Sequence, residues 1–249
     1  LRTAGQRSAV ALRRGFRYEC AVPGKYALIV LLAAVLACAG AAWFTFRFDA
    51  PVRQAVVESQ GKGWKKSDDY QFHSSVRRYG DWPYLMLGAG IGLLIAWRLR
   101  SRDWLRIIAA AMIASTVAGM IANASRLTTG RTRPRESPKI TQGFYGPWKD
   151  GRTTIGDQAY NSFPSGHTAT AFGLAWVLVF ARPWLGLVGL ILAGLVGWSS
   201  IMMGTHHPSD VAVSIILSLA VAWLTWKWMR ENGDRTAAWI AEKFRRRRK

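Results

Sequence analysis

Long apolar segments separated by charged connections are the feature that most limits how this chain folds. Six segments carry few or no charges and approach the roughly 20 residues that a helix needs to cross a bilayer. They are Tyr26–Phe46, Trp82–Trp97, Trp104–Ala122, Pro164–Ala181, Trp184–Met203 and Val211–Met229. Only helices or closed barrels satisfy their backbone in lipid, and no segment shows the period-two alternation of a barrel strand. The sequence therefore predicts an all-α integral membrane protein with six transmembrane helices.

The charged residues divide the chain and suggest its orientation, with a formal net charge of +20 overall. We expect a basic N-terminal segment at 1–25, a membrane domain at 26–229 and a basic tail at 230–249. With six spans both termini share one side, and that side carries more Lys and Arg than the other, which predicts cytoplasmic termini. The connections 47–81 and 123–163 then face outward, which in a bacterium means the periplasmic side of the inner membrane.

Three features outside the main motifs have simple interpretations. The segment Tyr26–Phe46 is too long for a signal-peptide core, so we interpret it as an anchor. The arginine-rich end of the tail is expected to attract anionic lipid and not nucleic acid, because no base-reading fold accompanies it. His73 stands alone in the first outward connection, and we expect it to be a surface histidine.

Small residues and arginines mark the third span and its end. Ala109–Ala111, Ala114, Ser115 and Gly119 predict close contact with a neighbouring helix. We expect the third span to end at Ala122, before the arginines. The motif Arg126-x6-Arg133-Pro134 follows, with Arg131 and Arg135 beside it. Guanidinium groups bind phosphate oxygens bidentately. Contact with lipid headgroups is the alternative, but these arginines lie on the side that membrane topology depletes of positive charge, which favours binding of a substrate anion.

The stretch Asn161-Ser162-Phe163-Pro164-Ser165-Gly166-His167-Thr168 precedes the fourth apolar run and predicts a helix that begins at its proline. Ser165 and Gly166 then place free backbone N–H groups at the positive end of that helix, where an anion is favoured. His167 adds a group that donates or accepts a proton near neutral pH. An ordinary helix start with an incidental histidine is the alternative.

A third cluster, Ser199-Ser200-x5-His206-His207-Pro208-Ser209-Asp210, leads into the last span. His206 and Asp210 are four residues apart, so on a helix or tight turn they face the same way. A carboxylate on one imidazole nitrogen leaves the other free as a base or nucleophile. Asp210 as a helix N-cap is the competing explanation, and both roles are compatible. His207 points away from His206 and is interpreted as a bystander at the membrane interface.

Together the three clusters resemble the signature of the type-2 phosphatidic acid phosphatase superfamily, over about residues 82–229. The membrane spans place the chain with the lipid phosphatase branch of that family. Two positions differ: Arg126 stands where the family usually has Lys, and Ser200 where it usually has a phosphate-binding Arg. Arg131 and Arg135 are candidates to supply the missing charge.

The resemblance implies a mechanism that needs no metal or other cofactor. His206, oriented by Asp210, attacks phosphorus and forms a phosphohistidine, while His167 protonates the leaving lipid oxygen and later activates water. The groups that hold the phosphate oxygens are Arg126, Arg133 and the backbone amides of Ser165 and Gly166.

The sequence therefore predicts a lipid phosphatase with its active site at the outer ends of helices three to six. Its expected substrates are phosphatidic acid, phosphatidylglycerol phosphate, polyprenyl pyrophosphate or lipid A, and its expected partners are that lipid and the bilayer. Two alternatives stay open: a weakly active or inactive relative that binds lipid as a scaffold, motivated by Ser200, and a phosphotransferase between lipids. The oligomeric state is also left open.

Overall fold

A computed structural model describes residues 36, 39–40, 43–61, 63–136 and 139–246, with side chains up to residue 233. The chain divides into two units, Leu1–Gly40 and Ala41–Lys249, and the features below belong to the second unit. The predicted basic segment 1–25 and most of the predicted span Tyr26–Phe46 lie outside the described residues.

Seven helices account for most of the residues that the structure describes in this unit. They are α1 (Asp49–Ser59), α2 (Asp68–Arg78), α3 (Trp82–Arg98), α4 (Arg102–Thr129), α5 (Gly166–Ala181), α6 (Pro183–Met202) and α7 (Pro208–Arg246). Single 3-10 turns lie at Trp64–Lys66, Pro134–Glu136 and Gln158–Tyr160. A short antiparallel hairpin pairs β1 (Trp148–Lys149) with β2 (Arg152–Thr153). The protein is thus mostly helical, as its apolar segments predict.

Three of these helices are long and apolar enough to cross a membrane: α4, α6 and the part of α7 from Pro208 to Gly233. Helix α5 is apolar but shorter, with 16 residues, and α3 has 17 residues. The membrane-helical class is therefore confirmed, while the count of six spans and the orientation in the bilayer stay predictions.

Two predicted helix boundaries are wrong. Helix α4 continues to Thr129 and ends at Gly130, whose φ of 52° suits glycine, so Arg126 lies in the last turn of the helix and not beyond it. Helix α5 begins at Gly166 with Ser165 as its N-cap, so Pro164 precedes the helix. The longer α4 shortens its connection to α5, although α5 itself begins two residues later than predicted.

Helix α5 lies at the centre and packs against α4, α6 and α7. The predicted close contact of the third span is confirmed, because Ala110, Ala111, Ala114 and Ser115 are buried in the core. Gly173 of α5 approaches α4 so closely that a Cβ there would lie 2.9 Å from the Ala114 carbonyl oxygen. Small side chains thus let the two backbones meet, as is common in membrane helix pairs.

Large apolar side chains cover the outer faces of α3 and α6. Exposed residues on these faces are Leu87, Ile91, Leu94, Trp184, Val188, Ile191 and Leu192. So many exposed apolar side chains are unfavourable in water but favourable in lipid. These faces therefore fit contact with acyl chains.

The connection before α3 folds onto the helix ends that carry the candidate site. Gln60 Nε2 donates to the Met202 carbonyl oxygen at 2.6 Å, at the C-terminus of α6. His73 is buried, and its Nδ1 lies 3.2 Å from Ser199 Oγ. The prediction of a surface histidine is wrong, because α2 packs its His73 face against α6. Burial lowers the pKa of His73, so its ring is neutral at neutral pH.

Candidate active site

Four helix ends meet at one end of the bundle and bring the three sequence clusters together. The C-terminus of α4, the N-termini of α5 and α7 and the C-terminus of α6 lie there. Arg126 Nε donates to the Pro164 carbonyl oxygen at 2.9 Å, which joins the first cluster to the second. His206 Nδ1 lies 2.7 Å from the Ser162 carbonyl oxygen, which joins the second to the third. Residues far apart in sequence therefore form one site.

His206 is held through its Nδ1 nitrogen in the turn between α6 and α7. Because a carbonyl oxygen only accepts hydrogen bonds, Nδ1 carries the proton and Nε2 keeps its lone pair. His206 is 1% exposed, and burial, partly opposed by Asp210 and aided by Arg126 and Arg133, lowers its pKa to about 3. The ring is therefore neutral at physiological pH, with a nitrogen suited to nucleophilic attack.

Asp210 supports His206 mainly through a second residue. Its Oδ2 lies 3.7 Å from His206 Nδ1, which is longer than a hydrogen bond. The same oxygen accepts a hydrogen bond from Ser162 Oγ at 2.6 Å, and the Ser162 carbonyl oxygen in turn accepts from His206. The expected orienting role of Asp210 is thus shared with Ser162, which sits inside the octapeptide but was not singled out from sequence.

Arg126 and Arg133 carry buried donors that lack a protein partner among the described residues, namely Arg126 Nη2 and Arg133 Nε. Burial and the positive charges of Arg135, Arg126 and Arg77 lower the pKa of Arg133 to about 10, so it stays charged at neutral pH. A buried guanidinium with free donors costs free energy unless an anion binds it. This pair of side chains is therefore built to receive a negatively charged ligand.

The start of α5 lies beside these arginines. Gly166 allows the approach, since a Cβ at this position would lie 3.0 Å from Arg126 Nη2. No helix N–H is capped by the Ser165 side chain. The Ser165 amide, however, donates to the Asp210 carbonyl oxygen at 3.3 Å. The prediction that Ser165 offers a free amide to phosphate is therefore wrong, because the turn into α7 already uses it, while Gly166 keeps its predicted place.

His167 is half-buried at the first turn of α5, and its Nε2 contacts the carboxylate of Asp81. Asp81 is the N-cap residue of α3 and lies outside all three sequence clusters. Its carboxylate fixes the ring of His167 at the site. No spacing pattern in the sequence pointed to Asp81.

Arg131 does not lie free for a phosphate. Its guanidinium contacts the buried carboxylates of Asp210 and Asp49 and donates to Ser209 Oγ at 2.7 Å. The rings of Phe46, Phe144 and Phe163 cover it, with centroids 4.7 to 5.8 Å from its Cζ. The hypothesis that Arg131 replaces the charge missing at position 200 therefore conflicts with the geometry, because two carboxylates already neutralise it.

The side chain of Arg135 is more exposed to solvent than that of Arg131. Its side chain is 36% exposed, and its Nε lies 3.3 Å from Glu136. Its backbone N–H donates to the Gly204 carbonyl oxygen at 2.9 Å, which places the residue at the turn that carries His206. Arg135 therefore stays a candidate for long-range attraction of an anion.

His207 is buried and does not lie at a membrane interface. Its Nε2 lies 3.1 Å from the Thr132 carbonyl oxygen, and its backbone N–H donates to Asp210 Oδ2 at 2.7 Å. The interpretation of His207 as an interfacial bystander is wrong, because the turn before α7 folds it inward beneath the loop after α4.

The family model for the PAP2 superfamily matches residues 104–234 of this chain. The chain belongs to this superfamily. The matched range includes all three clusters described above, so the membership expected from the motifs is confirmed.

Two relatives with similar sequences are named as phosphatases. The lipid A 1-phosphatase of Porphyromonas gingivalis is 30% identical over 51% of this chain and 25% of its own length. The undecaprenyl-diphosphatase BcrC of Bacillus subtilis is 32% identical over 30% of this chain and 39% of its own length. The chain thus spans well under half the length of these two relatives.

A solved PAP2 structure has a similar fold. The crystal structure of the first transmembrane PAP2 type phosphatidylglycerolphosphate phosphatase from Bacillus subtilis superposes with a TM-score of 0.51. The match covers 80% of this chain and 96% of that chain at 17% identity. The likeness supports the helical membrane architecture.

Proposed function

We propose that this protein is a phosphatase that hydrolyses a phosphomonoester or pyrophosphate of a membrane lipid through a phosphohistidine on His206. The observation that carries the proposal is the buried, neutral imidazole of His206 beside two guanidinium groups with free donors. A nucleophile and an anion-binding pair at the same point are the two requirements of phosphoryl transfer. Membership of the PAP2 superfamily gives independent support.

In the first step, His206 Nε2 attacks phosphorus and the bond from phosphorus to the lipid oxygen breaks. The electron pair of that bond leaves with the oxygen, which takes a proton from His167. Arg126, Arg133 and the Gly166 amide stabilise the charge on the equatorial oxygens, where positioning and electrostatics supply most of the catalysis.

In the second step, water attacks the phosphohistidine and the nitrogen–phosphorus bond breaks. His167 accepts a proton from that water, and inorganic phosphate and free His206 are restored. Asp210 and Ser162 keep Nδ1 protonated throughout, so that Nε2 remains the reacting atom. These groups complete the reaction without a metal or other cofactor.

The substrate class follows from the position of the site. In this proposal the groups at the four helix ends receive the headgroup of the lipid, and the exposed apolar faces of α3 and α6 suit contact with acyl chains. The named relatives suggest lipid A or a polyprenyl diphosphate. We further propose an inner-membrane location with six spans, cytoplasmic termini and a periplasmic site.

Phosphate release by the purified protein in detergent tests this proposal. The panel comprises phosphatidic acid, phosphatidylglycerol phosphate, undecaprenyl diphosphate and lipid A, each with and without an acceptor lipid. Release from at least one member, abolished in His206→Asn, is expected. Formation of a phosphorylated acceptor lipid without release of inorganic phosphate would favour phosphotransfer, and binding without either product would favour a lipid-binding scaffold.

Trapping identifies the nucleophile. The protein quenched with a radiolabelled substrate should carry a label that acid removes and base does not, as expected for phosphohistidine. His206→Asn should lose this label, whereas Gln71→Ala, an exposed change on α2, should keep it. A label that survives in His206→Asn would contradict the assignment.

A further inference from the structure

The buried end of α6 carries no cation at position 200. Ser200 is fully buried, and its Oγ donates to the Val196 carbonyl oxygen at 2.9 Å within the helix. The neighbouring Ser199 Oγ lies 3.2 Å from His73 Nδ1, so α2 packs against this turn of α6. A charge needed at this side of the site must therefore come from another element, and α2 is one of the helices that pack against α6.

Arg77 lies on the face of α2 that meets α6. It follows His73 by four residues, so the two side chains project from the same face of the helix. Arg77 is half-buried, whereas the adjacent Arg78 is exposed. The packing that buries His73 thus also directs Arg77 toward the protein interior. Arg77 lies one helical turn after His73, near the connection to α3.

The turn after α2 is fixed directly onto the site. A Cβ at Gly80 would lie 2.4 Å from Val196 Cγ1 and 3.2 Å from the His167 carbonyl oxygen, so the backbones approach closely there. Thr170 Oγ1 donates to the Gly80 carbonyl oxygen at 2.6 Å. Asp81, the next residue, contacts His167. Arg77 is therefore attached to the start of α5 by a short, well-packed segment.

Arg77 also belongs to the same group of charges as the phosphate-binding arginines. Its positive charge contributes to the lowered pKa of Arg133. The pKa of Arg77 itself is lowered by burial and by Arg135 and is raised by Asp81. A half-buried guanidinium near several others is unfavourable unless an anion neutralises the group. Asp81 is the negative charge that acts on Arg77, and its carboxylate already contacts His167.

We propose that Arg77 is a third guanidinium that binds the substrate phosphate, and that α2 supplies from outside the three motifs the cation that position 200 does not provide. The inference rests on the proposed phosphatase function. It gives α2 and the turn at Gly80 a direct part in the site, although both precede Arg126, the first residue of the three sequence motifs.

Steady-state kinetics of Arg77→Ala, with Arg78→Ala as the matched control, tests the proposal. The loss of one charge-assisted contact to phosphate should lower kcat/KM by about ten- to hundredfold. The Ki of inorganic phosphate as a competitive inhibitor should rise by a similar factor. Arg77→Lys should recover part of both, and Arg78→Ala should leave both unchanged because that side chain is exposed.

A second substitution separates phosphate binding from support of Asp81. If Arg77 acts on phosphate itself, Arg77→Ala should raise the phosphate Ki in the Asp81→Asn background as well. An unchanged Ki in both backgrounds would overturn the proposal. This holds even if the melting temperature or kcat falls, because those losses alone indicate a structural role of Arg77.

Inactive protein would refute the proposed function without deciding the role of Arg77. In that case the rise of melting temperature caused by inorganic phosphate replaces the kinetic readout. A rise that is present in the parent and in Arg78→Ala but smaller in Arg77→Ala supports phosphate binding by Arg77. An equal rise in all three proteins, or no rise in the parent, overturns it.

Discussion

Replacing Arg131 with alanine removes the guanidinium that lies between the carboxylates of Asp49 and Asp210. All three side chains are buried, and Asp49 joins α1 to the start of α7 through its contacts with Ser209. Because the two carboxylates would lose their common counter-charge, we expect Arg131→Ala to reduce stability strongly while leaving phosphate binding intact in the folded protein.

The size of the effect follows from the burial of the network. Removal of one partner from a buried ion pair costs about 3–5 kcal/mol, because an uncompensated buried charge remains. For a domain of this size, 1 kcal/mol corresponds to a shift of roughly 2–4 °C in melting temperature. The expected fall is therefore about 6–20 °C. Asp49→Asn in the Arg131→Ala background should recover part of it, because one of the two unpaired charges is then gone.

Thermal unfolding followed by tryptophan fluorescence in detergent measures this effect, with Arg152→Ala on the exposed strand β2 as the control. KM and the Ki of inorganic phosphate should stay near the parent values at temperatures below unfolding. A melting temperature equal to the parent's, together with a ten- to hundredfold lower kcat/KM, would refute the reasoning and place Arg131 on the phosphate.

Three further predictions concern the site. Gly166→Ala should lower kcat/KM at least about tenfold, because its Cβ would lie 3.0 Å from Arg126 Nη2, whereas Gly90→Ala on α3, with nothing within 4 Å of a Cβ, should not. Stability should fall as the pH decreases below about 6.5: unfolded His206 gains a proton there, while the folded pKa of about 3 prevents it. The contribution is about 1.4 kcal/mol per pH unit, or about 2 kcal/mol at pH 5, and His206→Asn should show a correspondingly smaller pH dependence of its melting temperature. Activity should withstand EDTA, because the phosphate is expected to bind guanidinium groups and not the carboxylate oxygens that Mg²⁺ prefers; loss of activity restored by Mg²⁺ would contradict this.

Local patterns predicted the helices and the main chemical groups of this protein. The apolar segments anticipated α3 to α7, and the small residues of α4 anticipated its close contact with α5. The octapeptide around His167 and the spacing of His206 and Asp210 identified two of the three clusters, since each motif is a short continuous stretch of the sequence. Arg126 was placed beyond α4 because the apolar run stops at Ala122, whereas the helix continues through polar residues to Thr129.

The roles of individual charges depended on partners distant in sequence. Arg131 and Arg133 are two residues apart in one loop, yet Arg131 contacts Asp49 and Asp210, while Arg133 keeps a buried donor without a described protein partner. Likewise His73 and Arg77 lie in a polar connection that looks exposed, until α2 packs on α6 and buries their face.

The sequence by itself determined that this chain is helical, has apolar segments of membrane-spanning length and carries the motifs of the PAP2 superfamily, because hydrophobic length and short motifs are local properties. Only the tertiary structure decided which arginine is neutralised and which is left for an anion, and that Asp81 and Ser162 hold the two histidines. The physical reason is that charge compensation acts through space over a few ångströms. Those distances arise only when α2, α4, α5 and α7 are packed together.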